Sequence, residues 1–149
     1  MGDISFVLAG VSSKDEYALR AIFDLAQQRP GIPIRIAKIA DRQKIPQKFL
    51  ELILSELKRG GFVESHRGAD GGYRLSRSPD TITIGEVLRY VKGISDNRNN
   101  KKPEGENPFA ALWSQVDAKI SGIIDQTTFG ELARNWQEQQ SRNLPNWDI

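Results

Sequence analysis

The sequence contains no cysteine and only one histidine, His66. Without cysteine the chain can form neither disulfide bonds nor thiolate metal sites, which agrees with a cytoplasmic location. A single imidazole also argues against a zinc site built from histidine ligands. Because no nucleophile motif is present and no pair of carboxylates marks a pocket, we expect a protein that is not an enzyme and that holds no cofactor.

Long hydrophobic runs are absent as well. No stretch of about 18 apolar residues occurs, so no transmembrane helix is expected. The segment ISFVLAG near the N-terminus is short and lacks a basic leader, since Asp3 precedes it, and we do not interpret it as a signal peptide. A chain of 149 residues, 38% of them hydrophobic, fits one domain with a modest core, or one domain plus an appendage.

Charge is distributed unevenly along the chain, although the net charge is only +2. Residues 1–77 carry 13 Lys/Arg against 9 Asp/Glu, whereas residues 78–149 carry 8 against 10. The densest basic window, Arg29–Arg59, holds eight basic and three acidic residues. A basic cluster on a near-neutral chain suggests a polyanion-binding face, but a solvated helix surface would carry the same charges.

Three pairs with capping-box spacing predict where helices begin. A broad apolar stripe after the first pair predicts a helix from about residue 13 until the segment RPGIP (29–33) breaks it. The pairs are Ser13 with Glu16, Thr83 with Glu86, and Thr128 with Glu131.

Two short helices and a hairpin follow. The segment IAKIADRQ (36–43) and a helix from about Pro46 to Arg59 are separated by the tight turn KIP. In the second of these helices the apolar residues Leu50, Ile53, Leu54 and Leu57 share one face. The opposite face carries Gln47, Lys48, Glu51, Leu52 and Ser55.

Strands are predicted for FVESH and YRLS on either side of the turn RGADGG, and residues 34–36 could pair briefly with them. The order of elements predicts a mainly α fold with a small β-hairpin wing, that is, a winged helix-turn-helix. Glycines of this kind can cradle a phosphate, close a hairpin or form a loose loop. A nucleotide cradle is disfavoured, because no helix beginning with Gly-Lys-Ser/Thr follows.

The C-terminal half adds a polar segment and a long helix. We expect four parts: a winged-helix domain (1–92), a mobile loop (93–107), dimerisation helices (108–139) and a tail (140–149). The apolar stripe of the long helix is either intramolecular core or a dimer seam. A two-fold dimer is favoured, because the winged-helix domain can already close its own core. The seam residues are Phe109, Leu112, Trp113, Val116, Ile120, Ile123 and Ile124.

The stretch FLELILSELKRGGFVESHRGADGGYRL, with EYALRAIFDLA before it and LWSQVDAKISGIIDQTTFGELA after it, resembles the Rrf-type bacterial regulators. This family includes the IscR, NsrR and CymR groups, and the likeness runs from about Lys14 to Ala133. The resemblance implies a homodimer that binds palindromic operator DNA through winged helix-turn-helix domains, with the long helix pairing with its copy in the partner.

The resemblance also implies which residues meet double-stranded DNA. The helix from Pro46 enters the major groove, and Arg67 in the wing reaches into the minor groove. Leu52 departs from the polar residue common at its position, so it either touches a thymine methyl or indicates weaker base reading. Arg20, Arg35 and Lys38 could add phosphate contacts or could equally be solvated charge. The expected DNA-binding residues are Gln47, Lys48, Glu51, Leu52, Ser55, Arg67, Gly68, Gly71, Gly72, Arg35 and Lys38.

Many members of the resembled family hold an iron–sulfur cluster through cysteines in the loop that follows VLRYVKG. That loop has no cysteine here, so no Cys-ligated cluster is expected, as in the CymR-like branch. The effector is left open among a small molecule, a protein partner and the protein's own concentration. The alternative function is a protein–protein interaction module that has lost operator binding.

Overall fold

The computed structural model describes residues 10–93 and 107–143, which fold into six α-helices, a hairpin and one short 3-10 turn. Most of the predicted loop and the end of the predicted tail lie outside the described residues. None of the described helices is long and apolar enough to cross a membrane. The elements are α1 (Ser13–Ala26), α2 (Ile36–Gln43), α3 (Gln47–Arg59), β1 (Val63–His66), β2 (Gly72–Leu75), the 3-10 turn (Pro79–Thr81), α4 (Ile84–Lys92), α5 (Ala110–Gln126) and α6 (Phe129–Asn143).

The capping box of α1 lies one residue before the predicted one. Ser12 is the N-cap, its hydroxyl accepts a hydrogen bond from Asp15 N, and the Asp15 side chain accepts one from Ser12 N. The segment SSKDE permits both registers. The observed register places Asp15 in the interior, where it meets Lys92 of α4. The second predicted box, Thr83 with Glu86, is confirmed at the start of α4.

Helices α2 and α3 form the predicted helix-turn-helix and bury the predicted apolar face. Leu50, Ile53, Leu54 and Leu57 are all buried against α1 and α2. The turn between the helices passes through Lys44, which adopts the left-handed conformation with φ 57°. Pro46 is the N-cap of α3 rather than its first residue.

The wing is a two-stranded antiparallel hairpin, and one further residue, Ile34, pairs with its second strand. Val63 pairs with Leu75 at its base and His66 with Gly72 at its tip. The predicted short pairing before α2 is present as a bridge between Ile34 and Tyr73, with both backbone hydrogen bonds at 2.8 Å. This bridge fixes the wing to the segment that enters α2.

The C-terminal helices connect to the winged-helix domain through backbone pairing. Ile84 N donates to the Thr127 carbonyl at 3.0 Å, and Phe129 N donates to the Ile82 carbonyl at 3.0 Å. Phe129 lies in the same core as α1–α4, and its side chain is 1% exposed. Trp136 of α6 packs edge-on against Phe23 of α1. Part of the segment predicted for dimerisation, helix α6, therefore packs on the body of its own subunit.

Helix α5 presents its polar side to its own subunit. Arg89 of α4 donates to both carboxylate oxygens of Asp125, at 2.6 and 3.1 Å, and to Ser121 Oγ at 3.2 Å. The only buried residue of α5 is Asp117. Of the predicted seam residues, Phe109, Leu112 and Ile123 are exposed, and the remaining four are half-buried. The remaining four are Trp113, Val116, Ile120 and Ile124.

Candidate nucleic-acid interface

The outer side of α3 forms a continuous polar surface that we term the reading face. It consists of the five residues predicted from the helical pattern, and all five are exposed. The opposite side of the helix is held in the core, so the direction of the reading face is fixed by packing. The reading face comprises Gln47, Lys48, Glu51, Leu52 and Ser55.

Three cations of the winged-helix domain, one of them on the reading face, keep their charge available. Lys38, Lys48 and Arg67 are exposed, and none of them has an ion-pair or hydrogen-bond partner among the residues that the structure describes. Several other basic side chains are paired, for example Arg77 with Glu86 at 2.6 Å and Arg74 with Glu64 at 3.1 Å. Unpaired and fully solvated cations can neutralise phosphates without first breaking an internal salt bridge.

Arg35 connects the start of α2 to the tip of the wing. Its guanidinium donates to the carbonyl of Ala69, within the turn between β1 and β2. Because Ile34 is also bridged to Tyr73, the residues before α2 hold the wing at its second strand as well as at its turn. Arg35 therefore positions the wing, in addition to the phosphate contact predicted for it.

The three glycines of the wing turn, Gly68, Gly71 and Gly72, differ in the structural reason for which each is a glycine. Gly68 has φ 103° and open space around it, and its carbonyl accepts from Gly71 N at 2.9 Å to close the turn. A side chain at Gly71 would collide with the backbone carbonyl of His66, and one at Gly72 with that of Ile34. Gly71 and Gly72 are thus required by the chain's own backbone, in addition to the DNA contact predicted for them.

Arg74 does not neutralise the acidic wing tip. A pairing of Asp70 with Arg67 or Arg74 would have shielded the tip, but Arg74 binds Glu64 across the hairpin at 3.1 Å and donates to the Gly31 carbonyl at 3.0 Å. Asp70 has no ion pair with any described residue. The wing therefore carries a free carboxylate three residues from its free Arg67.

His66 is a residue of strand β1, and its imidazole lies beside another side chain of the same strand. Its Nε2 lies 3.7 Å from Glu64 Oε1, and its side chain is exposed on the strand. Tyr73 and Leu75 pack against the core.

An ion pair between the buried Asp24 and the partly exposed Arg42, which no sequence pattern predicted, joins α1 to the helix-turn-helix. Asp24 of α1 is 1% exposed and accepts hydrogen bonds from Arg42 Nε at 3.0 Å, Arg42 Nη2 at 2.9 Å and Gln43 Nε2 at 3.1 Å. The hydrogen bond to Asp24 raises the pKa of Arg42 above its usual range. The available signal was an aspartate inside the apolar stripe of α1, where an unpaired charge would be costly.

Arg20 takes part in the same contact between α1 and α2. Its guanidinium donates to the Gln43 carbonyl and lies 5.5 Å from the centre of the Tyr17 ring. This structural role favours the interpretation of Arg20 as part of the scaffold over the phosphate contact.

These features define a winged helix-turn-helix with a polar reading face, free cations and a wing held against the entry to α2. A family model described as Rrf2, iron-dependent transcriptional regulator, matches residues 11–135. The chain belongs to the Rrf2 family, and it is a DNA-binding transcriptional regulator rather than an enzyme.

Relatives of known name and structure agree with this assignment. The HTH-type transcriptional regulator IscR of Aliivibrio salmonicida is 34% identical over 143 residues, which cover 93% of this chain and 85% of that protein. CymR, the global cysteine regulator of B. subtilis, superposes with a TM-score of 0.74 and 30% identity, covering 85% of this chain and 97% of CymR. T. potens IscR gives a TM-score of 0.75 and 29% identity over 92% of this chain and 93% of its own.

The residues of this chain do not fit an iron–sulfur cluster of the cysteine-ligated kind. Such clusters require soft sulfur ligands, and the sequence contains no cysteine. Within residues 10–93 and 107–143, no group of three or more His, Asp or Glu side chains converges where it could hold a metal ion.

Proposed function

We propose that the protein is a sequence-specific transcriptional regulator that binds palindromic operators as a homodimer and works without a Cys-ligated cluster. The reading face of each α3 enters the major groove of one half-site, and the wing places Arg67 in the adjoining minor groove. The observation that carries this proposal is an exposed polar face, with Lys48 unpaired on it, on a helix α3 whose opposite side is held in the core.

Each reading-face residue has a defined chemistry for DNA. Lys48 can hold a phosphate or a guanine edge, Gln47 an adenine edge or a phosphate, and Glu51 can accept from cytosine N4. Lys38 and Arg35, at the start of α2, extend the positive charge toward the backbone of the duplex. The free carboxylate of Asp70 opposes phosphate, so Arg67 must supply the attraction at the wing tip.

The direction of α5 supports the homodimer. Its polar residues bind α4 of the same subunit, whereas Phe109, Leu112 and Ile123 face outward. Exposed apolar residues along one line of a helix are stabilised by a second copy that buries them, and Trp113 is a suitable anchor. A two-fold dimer then offers two α3 helices to half-sites about one helical turn apart.

Selection of genomic DNA fragments on the purified protein tests the proposal. We expect enrichment of palindromic fragments by the wild type and loss of that enrichment for Arg67→Ala. In anisotropy titrations Arg67→Ala should also lower the dependence of log K on log salt by about 0.9, the contribution of one phosphate contact. Failure of the wild type to enrich any fragment over random DNA would contradict the proposal.

Arg142→Ala is the matched control. It removes one exposed positive charge whose partner is Glu138 in the next turn of α6, far along the chain from the wing. Enrichment and salt dependence should match the wild type. The same purified protein, prepared anaerobically, should contain no stoichiometric iron or acid-labile sulfide; finding both would overturn the cluster-free assignment.

The second candidate function is protein docking by a winged helix that has lost its operator. The exposure of Leu52, 69% in the middle of the reading face, is the observation that favours it. The two functions differ in salt dependence, because binding to DNA weakens steeply with added salt and apolar docking does not. Salt-insensitive binding of a protein, with no retention on duplex DNA, would establish the second.

A further inference from the structure

We propose that Leu52 determines operator sequence by packing against the 5-methyl group of a thymine in the major groove. The inference rests on the proposed function and adds to it the kind of base that the centre of the reading face selects. Leu52 is 69% exposed, the highest value among the exposed large hydrophobic residues of the described chain.

The position of Leu52 makes it a base contact rather than an accidental surface leucine. It lies four residues after Lys48 and three before Ser55, so the three side chains form one line along the helix. Leu50, Ile53 and Leu54 on either side in sequence are fully or almost fully buried, which prevents α3 from rotating to hide Leu52. The side chain therefore remains in solvent until a ligand covers the reading face.

The charges around Leu52 indicate that this ligand is duplex DNA. Lys48 on the same line, and Lys38 and Arg67 elsewhere in the winged-helix domain, are exposed and have no partner among the described residues. A purely apolar protein surface would leave these cations without counter-charges, whereas phosphates flanking a major groove supply them. Within that groove the thymine methyl is the one apolar group that a base pair of unmodified DNA presents.

The neighbouring Glu51 would extend this readout. Its carboxylate accepts a hydrogen bond from cytosine N4, and it repels the acceptors that guanine and thymine present. Glu51 and Leu52 together thus favour a cytosine and a thymine near each other in every half-site, with Leu52 recognising the methyl group alone.

Replacement of thymine by deoxyuridine tests the contact, because it removes the methyl group and leaves every hydrogen-bonding group in place. A duplex obtained by the genomic selection is synthesised with single T→U changes, made symmetrically in both half-sites, and binding is measured by anisotropy. At one thymine we expect the wild type to lose about threefold to fourfold in affinity per half-site, about tenfold in all. Leu52→Ala should bind the T and U duplexes equally.

Two variants separate this contact from general effects. Leu52→Met keeps a flexible apolar side chain and should retain the T-over-U preference. Val11→Ala shortens another exposed apolar residue, at the approach to α1, and should leave the preference unchanged. Circular dichroism checks that all variants fold, which is expected because Leu52 is exposed and alanine favours helix.

Three results would overturn the inference. Wild-type affinity could be insensitive to uracil at every thymine, the preference could survive in Leu52→Ala, or the selected half-sites could lack a thymine within reach of α3. Each of these leaves the proposed function standing, provided that duplex DNA is retained. A protein that retains no duplex at all would overturn the proposed function as well.

Discussion

At the residue scale, Lys44 adopts a backbone conformation that glycine accommodates better than lysine. It is the only residue other than glycine with positive φ among the described residues, at the turn that joins α2 to α3. The left-handed conformation costs an L-residue about 1–2 kcal/mol.

Lys44→Gly is therefore expected to stabilise the protein. Removal of the β-carbon relieves the strained backbone, and the greater freedom of glycine in the unfolded chain offsets part of the gain, leaving about 0.5–1 kcal/mol. Urea denaturation measures the change. Lys38→Gly, the same substitution inside α2, should instead lose about 1 kcal/mol, and equal effects of the two variants would contradict the argument.

The buried carboxylate of Asp15 predicts acid sensitivity. Burial raises the pKa of Asp15, but the hydrogen bonds from Lys92 and Ser12 outweigh burial and hold the pKa below its ordinary value. An aspartate with a lowered folded pKa contributes stability that is fully present above the unfolded value, near 3.9, and is lost as the pH falls through the folded pKa.

We expect the unfolding free energy to fall below about pH 5, and to fall less steeply in Asp15→Asn. That variant should also lose about 3 kcal/mol at neutral pH, since Lys92 is left almost buried without its carboxylate. Asp80→Asn, which breaks an exposed pair with Arg134, should change both quantities little. Parallel pH profiles for the wild type and Asp15→Asn would refute the assignment.

At the scale of elements, sequence patterns predicted the helices and the hairpin but not what fixes them to one another. Periodicity located the buried side of α3, because local spacing determines which residues share a helix face. The contacts of Asp24 with Arg42, of Arg35 with Ala69 and of Phe23 with Trp136 join distant segments. No local pattern encodes such pairs. The start of α1 was misplaced by one residue for a related reason, because Ser12 and Ser13 can each serve as an N-cap in the sequence.

The wing can pack against the residues before α2 only because residue 72 is a glycine and has no side chain. A β-carbon there would overlap the carbonyl group of Ile34, so Gly72→Ala must separate the wing from the residues before α2. We expect a loss of about 2 kcal/mol or more in stability, and weaker DNA binding because Arg67 loses its position.

Gly122→Ala is the control for that substitution. Gly122 lies within α5 with nothing near the position of an added β-carbon, so alanine should raise stability by about 0.5–1 kcal/mol. Denaturation of both variants and anisotropy on one duplex provide the comparison. A Gly72→Ala protein as stable as the wild type would show that the wing does not need this close approach.

At the scale of the whole molecule, the apolar line of α5 is expected to hold two subunits together. Ile123→Glu places a charge in that line, where Ile123 is 67% exposed in the single chain, and should convert the dimer to a monomer. Ser114→Glu adds the same charge to the opposite side of α5 and should leave the dimer intact. Sedimentation equilibrium distinguishes the two, and a dimer that persists in Ile123→Glu would exclude this seam.

Hydroxyl-radical footprinting of the wild type on a selected duplex tests most directly whether two reading faces and two wings act together on DNA. The account predicts two protected zones about 10 base pairs apart on one side of the duplex, with minor-groove protection beside each that is lost in Arg67→Ala. A single protected zone, or protection that Arg67→Ala leaves unchanged, would contradict it.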